Sequence, residues 1–352
     1  MSGAEEDWQA AGTEEVAAAV PVPPLDPLSR LAVRYGTDKW GVHLYTPVYH
    51  ALFAPLRDRA VRLLEIGVGG YGSPVSGGAS LRMWADYFPY GRVVGLDVVA
   101  KRLDLGPRIS LVQGAQSDLP ALARLWEEHG PFDIVIDDGS HLVGDVLTSF
   151  RALFPRLEPG GFYAVEDVQT AFWPLYGGNP GGRGTILSEI YDVMLAMHHR
   201  EVSAIGKEPL ITALGDLTAS VQMHRNLAVF ERGANTHPSN ASCDATSPAL
   251  RGVLGVLRAE RVTAPSAGNW MIEATLLDIG GQPEASMMAL RAGLVAFPDD
   301  PDLLEIGARV AAKLRLQAEC AALLERLLAL APDDALLRDS VARQRRVAGL
   351  AA

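Results

Sequence analysis

The sequence predicts an α/β domain, built on a parallel sheet closed by an antiparallel hairpin, followed by a small all-α module. Three observations carry this. Short apolar runs alternate with helical stretches over residues 61–167. Two β-like runs flank a short polar turn within residues 218–231, and a Pro-Asp-Asp string recurs in a helical tail beyond residue 250. Continuous apolar strands separated by helices belong to a parallel sheet covered on both faces.

Residues 1–26 are rich in Ala and Glu and end in Val20-Pro21-Val22-Pro23-Pro24, the composition of a disordered leader. A helical pattern starts near Pro27 and runs through Leu28, Leu31 and Ala32. The predicted strands follow. Val61–Ile66 runs into glycines, Arg92–Asp97 ends on an acid, and Ile109–Gln113 is a third short strand. Phe132–Ile136 runs into Asp137-Asp138, and Gly161–Val165 into Glu166-Asp167. Each places polar residues at its C-terminal end, where open α/β sheets bind ligands. Thr218–Met223 and Leu227–Glu231, joined by His224-Arg225-Asn226, form the hairpin.

Residues 234–249 read as a Pro/Ser/Asn-rich linker, which sets the expected domain at 27–233 and the helical module at 250–352. Within the module, Phe297-Pro298-Asp299-Asp300 returns 34 residues on as Ala331-Pro332-Asp333-Asp334, each copy following an amphipathic helix (Met287–Val295, then Ala321–Ala329). That period is tetratricopeptide-like. Two units fall short of a free-standing stack, so the module is expected to pack on the first domain or on a second copy of the chain, giving a homo-oligomer.

The formal net charge of −11 argues against nucleic acid or an anionic membrane as the main partner. Two cysteines, Cys243 and Cys320, are too few for a disulfide framework or a zinc cage. The first 18 residues carry acids where a secretory peptide needs basic and apolar ones, and no run reaches the roughly 18 apolar residues of a membrane span. A cytoplasmic protein is expected.

Glu65-Ile66-Gly67-Val68-Gly69-Gly70 follows the first strand. Glycines there let the backbone turn tightly and come close to a ligand. The spacing is Glu-x-Gly-x-Gly rather than the Gly-x-Gly-x-x-Gly of dehydrogenases. The second strand ends at Asp97, placed to accept hydrogen bonds from a ribose, and Gln113 and Asp118 after the third are candidates for the adenine edge. A Rossmann-like sheet with this loop and a hairpin finish points to a class I methyltransferase using S-adenosylmethionine, with Glu65, Gly67, Gly69, Asp97, Gln113 and Asp118 on the cofactor.

Ile136-Asp137-Asp138-Gly139-Ser140-His141 and Glu166-Asp167-Val168-Gln169-Thr170 each close a strand. Four carboxylates at one sheet edge repel each other unless a cation neutralises them. Oxygen ligands without thiolates suit Mg²⁺ or another hard divalent cation. His141 lies three residues past Asp138, and neutral imidazole can take a proton from an acceptor hydroxyl. Asp137 is the acid most expected to be structural.

At these motifs the chain resembles the metal-dependent sugar O-methyltransferases of macrolide antibiotic biosynthesis. The resemblance covers about residues 35–232. Besides the strings above it includes Gly36-Thr37-Asp38-Lys39-Trp40-Gly41, Tyr45-Thr46-Pro47 and Trp173-Pro174. It implies Asp138, Glu166 and Asp167 as magnesium ligands and His141 as general base. It also implies that residues 37–46 close over the cofactor, with Tyr45 and Thr46, and less directly His43, on the cofactor side. Gln169, Trp173 and Tyr176 would border a small-molecule glycoside acceptor. Two departures stand out: the macrolide enzymes carry a further domain ahead of the Asp-Lys-Trp segment, and this chain adds helices after residue 250. The competing readings are a related methyltransferase acting on a non-sugar metabolite, and a non-catalytic adaptor that uses the helical repeats.

Overall fold

The computed structural model describes residues 24–204, 212–235 and 248–350. Most of the expected leader, and the middle of the expected linker with Cys243, lie outside these residues. The chain forms two compact units. One holds the described residues up to Gly181 together with Met223–Val229; the other holds those of Gly182–Gln222 and those from Phe230 onward.

Seven strands are present among the described residues: β1 (Arg62–Ile66), β2 (Arg92–Asp97), β3 (Ile109–Gln113), β4 (Ile134–Asp137), β5 (Phe162–Glu166), β6 (Thr218–His224) and β7 (Leu227–Arg232). They form one sheet in the order β3-β2-β1-β4-β5-β7-β6. β1 through β5 pair in parallel, and their central members are buried along almost their whole length, as their unbroken apolar runs require. β6 and β7 are joined by Arg225 and Asn226 alone, so they run antiparallel, with Asn226 in the left-handed region at φ 63°. This mixed sheet with flanking helices fits a class I methyltransferase fold.

Register decides where the chemistry falls. Ile66 lies opposite Leu96 on one side and Asp137 on the other, and Asp137 lies opposite Val165. The next residues along, Gly67, Asp97, Asp138 and Glu166, therefore emerge together at one edge.

The helix Pro27–Tyr35 begins where proline preset its first turn. Asp26 caps it, accepting from the amides of Leu28 and Ser29 at 2.9 Å, and Gly36 ends it at φ 70°. Leu28 and Ala32 on its inner face join a core with Tyr49, Phe53, Trp84, Tyr87 and Phe88. Burying aromatic rings of this size dominates the energetics of such a core. Thr46–Phe53 is the second helix of this layer, and it buries Tyr49 and Phe53 in the same core.

In the other unit the described residues from Pro248 form the helices Pro248–Thr263, Ala267–Ile279, Pro283–Ala296, Pro301–Lys313, Gln317–Leu330 and Ala335–Val347. Their shared core includes Leu277, Leu290, Leu303, Leu304 and Leu323. The recurring Pro-Asp-Asp has a plain physical use. Asp300 and Asp334 are N-caps, accepting from the amides of Leu303 at 3.0 Å and Leu337 at 2.9 Å. No helix among the described residues is long and apolar enough to cross a membrane.

Candidate active site and metal centre

A cavity of about 810 Å³ opens at the C-terminal ends of β1, β2 and β4. Its walls are the loop Gly67–Gly72, Asp97–Val99, Gly114–Gln116 and Asp138–His141, with Thr37, Asp38 and Asp167 at the rim. Gly67 is required here: its φ is +93°, and a Cβ on it would sit 2.0 Å from the carbonyl oxygen of Asp138. Only glycine lets these two strand ends close on each other.

Asp97 lies in this wall as expected. Its carboxylate accepts from the amides of Val99 at 2.8 Å and Val68 at 3.1 Å, so its position is fixed by the glycine loop itself. Gly69 lines the cavity too. The other expected cofactor contacts do not. Gln113 is exposed at the edge strand, its amide turned to the carbonyl of Val98 at 3.3 Å, and Asp118 caps the helix Leu119–His129 through the Ala121 amide at 3.1 Å. After β3 it is Gly114, Ala115 and Gln116 that line the cavity. Thr46 is wholly buried against Ser29 at 2.8 Å, and Tyr45 turns to the acids. Glu65 points into the interior, away from the cavity.

The acids divide into an outer and an inner group. Outside, Nε2 of His141 lies 3.9 Å from Oδ1 of Asp138 and 3.7 Å from Oδ2 of Asp167. One atom from each of these three residues falls within 4.8 Å of the others, a spacing able to hold a metal ion. His141 and Asp167 both sit in the left-handed region, at φ 57° and 51°. Such strain costs about 1–3 kcal/mol per residue and persists at sites where the surroundings enforce it. Here the enforcement is visible. The hydroxyl of Tyr45 donates to Asp167 at 2.7 Å, and the imidazole of His43, stacked on Tyr45, is 3.7 Å from the same oxygen. Burial opposes ionisation of Asp167, but hydrogen bonds from Tyr45 and Gln169 and the imidazoles of His141 and His43 outweigh it and hold its carboxyl below the ordinary range.

Inside, the ammonium of Lys39 lies 2.7 Å from Asp138 Oδ2, 2.7 Å from Glu166 Oε2 and 3.1 Å from Glu65 Oε1. Lys39 is 1% exposed. Burial alone would lower its pKa; the carboxylates of Asp138, Glu166 and Glu65 reverse this and hold it well above the ordinary value. The same burial pushes Glu65 and Glu166 upward, and Lys39 offsets this only in part, so both stay above the ordinary carboxyl range, Glu166 well above it. Glu166 also accepts from the hydroxyl of Tyr49 at 2.7 Å. Its carboxylate is thus committed inward and is not among the atoms that converge on His141.

Asp137 is structural, as its neighbours require. It is 1% exposed and accepts from Ser149 at 2.6 Å, Tyr163 at 2.9 Å and Gln116 at 3.0 Å. Gln116 in turn accepts from the Ser140 amide at 2.8 Å, which pins the turn that delivers His141. Sequence reading passed over Gln116 and Lys39; Lys39 stood in the Asp-Lys-Trp string, and nothing local marks Gln116. Of the residues expected to border an acceptor, Tyr176 stands edge-on to His141 with ring centroids 6.4 Å apart, and Trp173, half exposed, packs on Tyr176. The side-chain oxygen of Gln169 is buried without a hydrogen-bond partner.

The donor set fits a hard divalent cation. Three carboxylates (Glu65, Asp138 and Glu166) share one ammonium, and the outer pair Asp138 and Asp167 with His141 presents oxygen and nitrogen donors to one point.

No protein-family model matches the chain. Among curated proteins it is 45% identical over 210 residues to the 8-demethyl-8-α-L-rhamnosyl tetracenomycin-C 2′-O-methyltransferase of Streptomyces olivaceus, covering 59% of this chain and 55% of that protein. It is 43% identical over 213 residues to the mycinamicin VI 2″-O-methyltransferase of Micromonospora griseorubida, covering 59% and 53%. Among solved structures it is similar to the MycE methyltransferase of the mycinamycin biosynthetic pathway in complex with Mg, SAH and mycinamycin VI. The TM-score is 0.55 at 41% identity, over 61% of this chain and 56% of that one. The relatives are sugar O-methyltransferases, the class the motifs resemble, and the chain spans little more than half their length.

Proposed function

We propose that the chain is an S-adenosylmethionine- and Mg²⁺-dependent O-methyltransferase acting on a sugar hydroxyl of a glycosylated natural product. The observation that carries this is the meeting, at one sheet edge, of the glycine-loop cavity walled by Asp97 with the outer group Asp138, His141 and Asp167.

When bound, the cofactor supplies an electrophilic methyl group and the divalent ion a charge that favours the deprotonated acceptor. The chain's own residues do the rest. Asp97 is held with its carboxylate toward the cavity to accept from ribose hydroxyls. Asp138 and Asp167 hold the cation, and Glu166, expected as a third ligand, pairs instead with the Lys39 ammonium that also touches Asp138. His141 Nε2 faces the position between those acids and takes the acceptor proton. In this reading Gln169, whose side-chain oxygen has no hydrogen-bond partner, accepts from a second hydroxyl of the sugar, and the Trp173–Tyr176 pair offers it aromatic faces.

Residues 27–233 serve as the catalytic domain. Residues 250–352 form a tetratricopeptide-like module, an arrangement supported by the paired helices and their recurring Asp caps. The module provides a surface for association with a second copy of the chain, and the two cysteines and acidic balance suit the cytoplasm.

The test is transfer of labelled methyl from S-adenosylmethionine to a panel of rhamnosylated polyketides. Product that requires Mg²⁺, vanishes in chelator and is absent from Asp138→Ala is the expected result. Transfer that persists in chelator would remove the cation from the reading; transfer only to non-glycosylated hydroxyls would replace the acceptor class.

A further inference from the structure

The chain draws its positive charge almost wholly from arginine: of 31 basic residues, four are lysines, at positions 39, 101, 207 and 313. Lys39 and Lys101 both have side chains only 1% exposed. Lys39 belongs to the acid cluster. Lys101 follows Asp97 by four residues, outside every motif read in the sequence, and no part of the proposed chemistry uses it.

Its ammonium sits inside the loop between β1 and the helix Ala79–Tyr87. It donates to the carbonyl oxygens of Gly69 at 2.5 Å, Tyr71 at 2.9 Å and Ser73 at 3.0 Å, with that of Ser76 at 3.4 Å, and lies 3.7 Å from Oδ2 of Asp97. This loop is irregular. Gly69, Gly70 and Gly77 have positive φ, and so does Tyr71, at 47°, a conformation an aromatic residue adopts only under constraint. A loop of that shape has few backbone partners for its carbonyls; within it the Ser73 amide bonds to Gly70. The carbonyls turn inward onto one donor instead. Gly69–Gly72 form one wall of the cavity and Asp97 the other, so a single ammonium ties the two walls together.

We propose that Lys101 is a positioning residue for the cofactor: it holds the Gly69–Ser76 loop closed against Asp97, so that the cavity is preorganised for an adenosyl sulfonium or thioether ligand. This rests on the methyltransferase reading for the identity of the ligand, but the clamp itself does not. Lysine is specifically required. An ammonium presents three N–H bonds from one atom, matching the three nearest of the carbonyls that converge on it, those of Gly69, Tyr71 and Ser73. A planar guanidinium spreads its donors over a fork and cannot meet them.

The experiment uses the full chain as wild type, Lys101→Met and Lys101→Arg. Binding of S-adenosylhomocysteine is measured by calorimetry, binding of Mn²⁺ by electron paramagnetic resonance, and loop protection by hydrogen exchange without ligand. Loss of charge-assisted hydrogen bonds at a loop that must then be ordered on binding predicts a dissociation constant raised about 10- to 100-fold in both variants. Amides of residues 69–76 should exchange faster, while Mn²⁺ affinity stays within about twofold. Lys101→Arg keeps the charge, so it reports on the clamp if Lys101→Met folds poorly. Cofactor affinity within twofold of wild type in a folded variant overturns the proposal, as does a lowered melting temperature with affinity unchanged, which would make Lys101 a purely structural residue. Absence of binding by the wild type would sink the methyltransferase reading instead, and the exchange of the free loop would still decide whether Lys101 clamps it.

Discussion

His141→Ala lowers the turnover number by about 10²- to 10⁴-fold, the range that a positioned general base supplies, and leaves S-adenosylhomocysteine affinity near that of the wild type. The reason is placement. His141 is delivered into the gap between Asp138 and Asp167 by a turn pinned through Gln116, while Asp97 and the glycine loop hold the other end of the cavity. Its Nε2 is also close enough to both acids to act as a metal ligand. The two uses separate cleanly in a titration with Mn²⁺. A base leaves the ion's affinity little changed when removed; a ligand takes much of that affinity with it. Turnover within about tenfold of wild type would move the proton to another group.

Lys39→Met produces the largest expected loss of stability. The substitution keeps the aliphatic stem and removes the one positive charge shared by Glu65, Asp138 and Glu166, of which the two glutamates are buried. Removing one partner of a buried ion pair costs about 3–5 kcal/mol, which lowers a melting midpoint by on the order of 10 °C for a unit of this size. The sign of its pH dependence follows from burial, which raises the pKa of Glu65 and Glu166. Without Lys39 to pull them back, the folded state holds these groups protonated. Stability from protonated acids is present at low pH and is lost as pH rises through their folded-state values. The deficit of Lys39→Met relative to wild type should therefore be small near pH 5 and grow toward pH 8. Glu166→Gln in the same background should recover part of it. Equal melting curves at both pH values would show that the three acids do not depend on Lys39.

Much of the architecture was legible because it is local. Apolar runs that end on acids or glycines located β1, β2, β4 and β5 to within one or two residues, and the polar turn around Arg225 and Asn226 located the hairpin. Parallel register then brought Gly67, Asp97, Asp138 and Glu166 to one edge, as strand-end residues of a parallel sheet must be. The direction in which a side chain leaves that edge was not legible. Glu166 and Asp167 are neighbours, yet one turns in to Lys39 and the other out to His141, because Asp167 takes a left-handed backbone that redirects the chain. Gln113 and Asp118 were read as adenine contacts from their place after β3; β3 is an edge strand, and Asp118 is used as a helix cap. Lys39 could not be found from spacing. Its partners Asp138 and Glu166 lie 99 and 127 residues away in sequence, and only the folded sheet makes them neighbours. Lys101 was hidden for a related reason, since its partners are backbone carbonyls, which carry no residue-type signal.

Calorimetric titration of the purified full chain with S-adenosylhomocysteine, with and without Mg²⁺, tests the methyltransferase assignment most directly. One saturable site per chain is predicted in both conditions, because Asp97 and the glycine loop are held in place by contacts that do not involve the outer acids. A sample folded by circular dichroism that shows no saturable binding in either buffer would contradict the assignment and favour an adaptor acting through its C-terminal helices.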